Sequence, residues 1–250
     1  MGSFKATLIN EIEKLYKKKK IIVAAILSFV IIILGQIAMT CLKSNFGIRA
    51  VGSMEFPILV LSVVVNSVIP LFAALITIDC FLGEFSQNTI KIALTRPVTR
   101  LKFFTAKIVA ITIFILTNLI FVMLFSILAG IVFNANTFTL TGISRILISY
   151  GVTLLPMIVL VLFIAILSNL IRSEVGVFFL SVLLFIGFKV LEVVFSQYSS
   201  ILFTSLIGWY ELWIMDKISL LTILRRLLFI LSYGIIFFTS GYYLFDKKEI

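Results

Sequence analysis

The sequence predicts an all-α integral membrane protein with six transmembrane helices, and three observations lead to that fold class. Of 250 residues, 62% are hydrophobic and 13% charged, with a mean hydropathy of +1.24. A soluble domain carries about 25% charged residues and has too small a core to hide this much apolar surface. The apolar residues fall into runs of about 20, the length a helix needs to cross a roughly 30 Å hydrocarbon layer. Lys and Arg total 21 against 11 Asp and Glu, a formal charge of +10, and the excess gathers at alternate ends of the runs, as the positive-inside rule requires.

Before the first run, Phe4, Leu8, Ile12 and Leu15 recur at helical spacing, joined by Ile9 and Tyr16, while Lys5, Asn10, Glu11, Glu13 and Lys14 occupy other faces. Residues 1–20 read as a short amphipathic helix in the inner membrane interface, ending in a lysine run at 17–20 that can sit on anionic headgroups. Spans follow at 21–42, 57–80, 106–133, 146–168, 175–195 and 227–245. The third exceeds what a bilayer needs, so it tilts or projects beyond it. With the N-terminus inside, the inner segments collect the lysines up to residue 20, then Lys91, Arg96, Arg100, Lys102, Lys107, Arg172, Lys247 and Lys248. The outside receives Lys43, Arg49, Arg145, Lys217, Arg225 and Arg226. Both termini are therefore expected in the cytoplasm.

Residues 196–222 fit this scheme less simply. Phe203, Trp209, Trp213 and Met215 make the segment too apolar for a solvated loop, yet serines, Gly208, Glu211 and Asp216 interrupt it. A seventh span and an extracytoplasmic re-entrant helical hairpin both remain open, the mixed polarity favouring the hairpin. Within the spans, Lys189 and Glu192 stand at i, i+3 and can form a structural ion pair. Asn66, Phe72, Phe178 and Phe185 are candidates to line a cavity, and Asp79 sits at the inner boundary, where a helix-end role suffices.

Several function classes drop out. With no histidine and no clustered acid–base or metal set, a membrane enzyme is disfavoured, and no metal or cofactor is expected on this chain. Cys41 and Cys80 fall on opposite membrane faces, so no disulfide is expected between them. The run after the lysines lacks a small-residue cleavage site and is long enough to span, so it is not read as a cleavable signal. The chain contains no GxxxxGK[ST] motif, nor even a Gly-Lys dipeptide, so nucleotide-driven work has to be powered by another polypeptide.

The most informative stretch runs from Phe81 to Thr105, with a polar Ser-Gln-Asn-Thr patch, several basic residues and one acid, Glu84. Pro97 should end a helix at or before Arg96 and turn the chain back into the third span. The order Glu84-Phe85, Thr89, Lys91, Leu94, Arg96-Pro97-Val98, Arg100, Phe103 and Lys107 resembles the cytoplasmic loop of bacterial ABC-2-type transporter permeases, the membrane subunits of type-2 ABC exporters. The six-span layout and the C-terminal Phe245-Asp246-Lys247-Lys248 are similar too. This resemblance implies that residues 81–105 hold a coupling helix docking on a separate ATP-binding-cassette ATPase subunit, which carries ATP and Mg. It also implies that the N-terminal helix touches that subunit, that two permease chains pair around one path, and that 196–222 is the re-entrant hairpin of a bacterial cell-membrane protein. Carried onto this sequence, the contact residues are Glu84, Phe85, Thr89, Ile92, Leu94, Arg96, Pro97 and Arg100, with phosphate headgroups the competing use of the two arginines. The alternative function, a self-sufficient secondary transporter or channel, needs deep ionisable groups or internal repeats, and these are few or not evident. Nucleic acid is not an expected partner, because basic residues on a membrane protein report orientation.

Overall fold

A computed structural model describes residues 2–46, 52–83, 99–133, 139–195, 197, 201–215 and 219–248. Among these residues the chain is almost wholly helical and has no strand. The helices are α1 (Gly2–Tyr16), α2 (Lys19–Phe46), α3 (Phe56–Asn66), α4 (Val68–Phe81), α5 (Arg100–Phe133), α6 (Leu140–Leu170), α7 (Glu174–Val194) and α8 (Leu220–Lys247), with a 3₁₀ helix at Ser205–Trp213. Six stretches are long and apolar enough to cross a membrane: α2, α3 with α4, α5, α6, α7 and α8.

The second span is broken where the sequence predicts a continuous helix. Pro70 supplies the reason: it has no N–H, and its ring collides with the carbonyl four residues back, that of Asn66. The first half stops at Asn66, Ser67 turns to φ −129° and ψ −75°, and α4 resumes at Val68. The side chains at the break bond back into the first half: Asn66 Nδ2 donates to the Ser62 carbonyl at 2.9 Å, and Ser67 Oγ donates to the Val63 carbonyl at 2.6 Å.

Three helix starts move as well, that of α6 to Leu140 rather than 146. Helix α5 starts at Arg100 rather than 106, because Thr99 begins it: its hydroxyl accepts from Lys102 N at 3.4 Å and its carbonyl from Phe103 N at 3.1 Å. Residues 100–105 therefore belong to a helix of 34 residues, about 51 Å at 1.5 Å per residue, and not to a loop. Helix α8 starts at Leu220 rather than 227, so 220–222 leave the expected hairpin. The described part of that hairpin holds the 3₁₀ helix rather than an α-helical pair, with Trp209 and Tyr210 buried. Just before it, Phe203 stacks on Phe163 (5.0 Å), Phe188 (5.2 Å) and Phe237 (5.9 Å), and Ile201 accepts from the Tyr233 hydroxyl at 2.6 Å.

The helices are glued at a few polar points. Ser28 of α2 donates to Asn118 of α5 at 3.4 Å, both buried, and the Tyr150 hydroxyl of α6 donates to the Pro57 carbonyl at 2.9 Å. Close approach is allowed by Gly130 on α5, where an added Cβ would lie 2.5 Å from the Ser53 carbonyl oxygen. Gly151 on α6 has open space in the same position. Gly130→Ala should therefore lower stability by roughly 1–3 kcal/mol. Gly151→Ala should raise it by roughly 0.5–1 kcal/mol through helix propensity. Thermal unfolding of the solubilised chain measures both.

Candidate functional site

Five helix ends meet on one side of the bundle. There α1 lies along the first half of α5: Glu11 meets Lys107, and about three turns further on the Tyr16 hydroxyl sits 2.7 Å from Thr117 Oγ1. The stripe expected to face the membrane interface mostly faces protein. Leu15 is buried, Leu8 and Ile12 pack against the core and Phe4 is half-buried, whereas Ile9 and Tyr16 are exposed. Glu11, expected off the apolar stripe, is 2% exposed at its centre.

Lys107, counted among the basic residues of the inner segments, is 0% exposed. An ammonium has three protons to satisfy. Lys107 Nζ donates to Glu11 Oε2 at 3.1 Å and to the Cys80 carbonyl at 2.7 Å, and it lies 4.7 Å from the centre of the Phe103 ring. The other Glu11 oxygen accepts from Lys14 at 3.1 Å. The Cys80 carbonyl belongs to the last turn of α4, where carbonyls lack helical partners and the helix dipole favours a cation. Lys107 thus closes the C-terminal end of α4 from the second turn of α5 and draws α1 onto the junction.

An aromatic cluster completes it. Phe81, the last residue of α4, lies 5.5 Å from Phe104 and 6.0 Å from Phe245, and Phe104 lies 5.6 Å from Phe245 and 5.4 Å from Phe238. Arg100 reaches the end of α8, donating to the Asp246 carbonyl, with Nε 3.9 Å from the Asp246 carboxylate. Lys248 Nζ donates to the Ser168 carbonyl at 3.4 Å near the end of α6; burial and the neighbouring Arg172 hold its pKa below the usual lysine range. Asp79 binds Lys20 at 2.9 Å and Lys18 at 3.5 Å, so two lysines of the 17–20 run have a protein partner.

Among the residues predicted to contact an ATPase, Arg100 is the one described, and it is partly engaged with Asp246. Glu84, Phe85, Thr89, Ile92, Leu94, Arg96 and Pro97 lie outside the described residues. Both roots of their loop, however, are built into the junction: Phe81 and Cys80 on one side, Arg100, Phe103, Phe104 and Lys107 on the other. Sequence reasoning missed Glu11 and the true role of Lys107. The signal for Glu11 was present, since it stands at i+3 from Leu8 and i−4 from Leu15, inside the stripe.

The predicted cavity residues divide. A cleft of about 150 Å³ opens at the α3–α4 break, lined by Asn66, Ser67 and Pro70 against Leu160 of α6 and Ser181 and Phe185 of α7. Asn66 and Phe185 line it; Phe72 is buried in the core and Phe178 packs edge-on against Phe179 at 5.9 Å, so neither lines the cleft. On α7, Lys189 Nζ lies 3.3 Å from Glu192 Oε2, the i, i+3 pair that the spacing predicts. The described residues hold no metal-ligating cluster.

Six apolar spans, one of them broken at mid-length, make this a multi-pass membrane protein. The model of the ABC-2 family transporter proteins matches residues 7–188, from α1 through most of α7, and the chain belongs to that family. Comparison with curated proteins gives no match.

The junction has a testable energetic signature. Removing one partner of a buried ion pair strands a charge and costs about 3–5 kcal/mol, whereas replacing both with apolar groups is close to neutral. Lys107→Met and Glu11→Leu should each destabilise strongly, and the double variant should recover most of the loss. Thermal unfolding of the four proteins of this cycle checks it.

Proposed function

We propose that the chain is the permease subunit of an ATP-binding-cassette exporter, coupled to a separate ATPase subunit and paired with a second permease chain in a bacterial cell membrane. The observation that carries this reading is the family match over residues 7–188, on a chain with no phosphate-binding loop of its own. In this reading the basic end is cytoplasmic, and residues between Glu84 and Arg96 form the coupling helix. Glu84, Arg96 and Arg100 give it polar contacts, Phe85, Thr89, Ile92 and Leu94 a contact surface, and Pro97 the turn. ATP and Mg stay on the partner.

The mechanism rests on rigidity. A docked helix transmits motion only if its roots are stiff, and the Lys107 junction supplies that stiffness. Helix α4 runs from this junction to the break at Ser67, 14 residues or about 21 Å. Displacing the loop therefore moves α4 as a lever and changes the cleft at its far end. That cleft is well below the roughly 300–1,000 Å³ of a typical ligand site, in keeping with half of a path completed by a second chain. Beside it, α7 exposes Phe179, Leu183 and Ile186.

The reading also makes 196–222 re-entrant. Supporting this, Phe203 packs on Phe163, seven residues or about 10 Å from the Leu170 end of α6, and on Phe237, about 25 Å from the Leu220 end of α8. An outer loop lying on the surface would not reach that depth.

Two outcomes are expected. Co-purification should retain a Walker-motif ATPase, and Arg96→Glu should reduce its recovery and ATP-dependent transport at least tenfold while insertion is preserved; full transport without any ATPase would overturn the assignment. The chain's 2 tryptophans both lie in the 3₁₀ helix, so intrinsic fluorescence reports on it alone. Acyl-chain-brominated lipids should quench that emission and aqueous iodide should not.

A further inference from the structure

A second, larger concavity lies away from the break. It is a groove of about 550 Å³ between α2 and the far half of α5, lined by Phe29, Ile33, Gln36, Thr40, Phe125 and Val132 among others. Both walls are membrane-spanning helices, so the medium at its mouth is hydrocarbon. The volume falls in the range of ligand sites rather than packing defects.

Its polar side chains are those of Gln36, Thr40 and Cys41, on one face of α2. Gln36 is 7% exposed, and its Oε1 has no hydrogen-bond partner among the described residues. Thr40, a turn further on, cannot supply one, because its hydroxyl is committed to the Gln36 backbone carbonyl at 2.8 Å. A buried unpaired acceptor is costly, and lipid tails have no donor to offer it. Gln36 stands 17 residues, about 25 Å, from the Lys19 end of α2, in the half of the span remote from the basic end.

We propose that this groove binds the hydrocarbon chain of an amphiphile whose polar end carries a hydrogen-bond donor, a hydroxyl or amide N–H, that pairs with Gln36 Oε1. The aromatic and aliphatic walls take the chain, and Gln36 selects donor-bearing molecules over isosteres that lack the proton. A site built around one buried acceptor discriminates through the penalty of leaving it unpaired. This inference needs α2 and α5 to span a membrane, but not the ATPase partnership, so the two can fail separately.

The test uses the full chain in phosphatidylcholine nanodiscs, a hexadecanol bearing a mid-chain diazirine as photoprobe, and peptide mapping of the adducts. Adducts should concentrate on residues 29–41 and 125–133. Hexadecanol should displace the probe about five- to tenfold better than its methyl ether, the worth of one hydrogen bond. Gln36→Leu should remove that preference while keeping the adducts, and Ala129→Trp, which fills the groove, should remove the adducts themselves. Adducts spread evenly over the lipid-facing helices, equal displacement by alcohol and ether in the unsubstituted chain, or a groove found covered by a second chain would each overturn the proposal.

Discussion

The ammonium of Lys107 constrains the rest of the structure. Taking a charge out of water costs several kcal/mol even after relaxation, and Lys107 is fully enclosed. Its enclosure is tolerable because carboxylate, helix-end carbonyl and aromatic face occupy its coordination together. Glu11 on α1, Cys80 on α4 and Phe103 on α5 are thereby held as one body, and the chain that leaves α4 after Phe81 must return to the same body at Arg100. The 3₁₀ helix, by contrast, is held by burial of the Trp209 and Tyr210 rings.

Much of the fold was legible because lipid imposes a one-dimensional rule: apolar length gives spans and basic residues give their alternation. That rule cannot see where a helix begins when its first turns are polar, so α5 starts at Arg100 behind a Thr99 cap and α8 at Leu220. The second span was read as continuous although Pro70 stood in it, because hydropathy is blind to a missing N–H; counting four residues back from Pro70 would have marked Asn66. The site was less legible. A lysine in a basic loop looks solvated until a carboxylate from a distant segment is placed beside it, and the separation of 96 positions between Glu11 and Lys107 hides that pairing from any local pattern. Phe72 and Phe178 show the converse limit: aromatic residues in lipid-facing spans carry no sequence mark for cavity rather than core.

The broken span joins these observations. A continuous helix from Phe56 to Phe81 would carry any displacement at its Phe81 end straight to its Phe56 end. The interruption at Ser67 divides it into a half tied to α6 through Pro57 and Tyr150 and a half tied to the loop roots through Cys80. Because the helical ladder is already interrupted at Ser67, bending there sacrifices fewer backbone hydrogen bonds than bending within α4 would, in a medium that cannot replace them. The cleft sits at this interruption, and Asn66 and Ser67, whose side chains bond back to the Ser62 and Val63 carbonyls, are part of its polar lining. The position of the cleft and the polarity of this wall thus follow from the break that Pro70 makes four residues beyond Asn66.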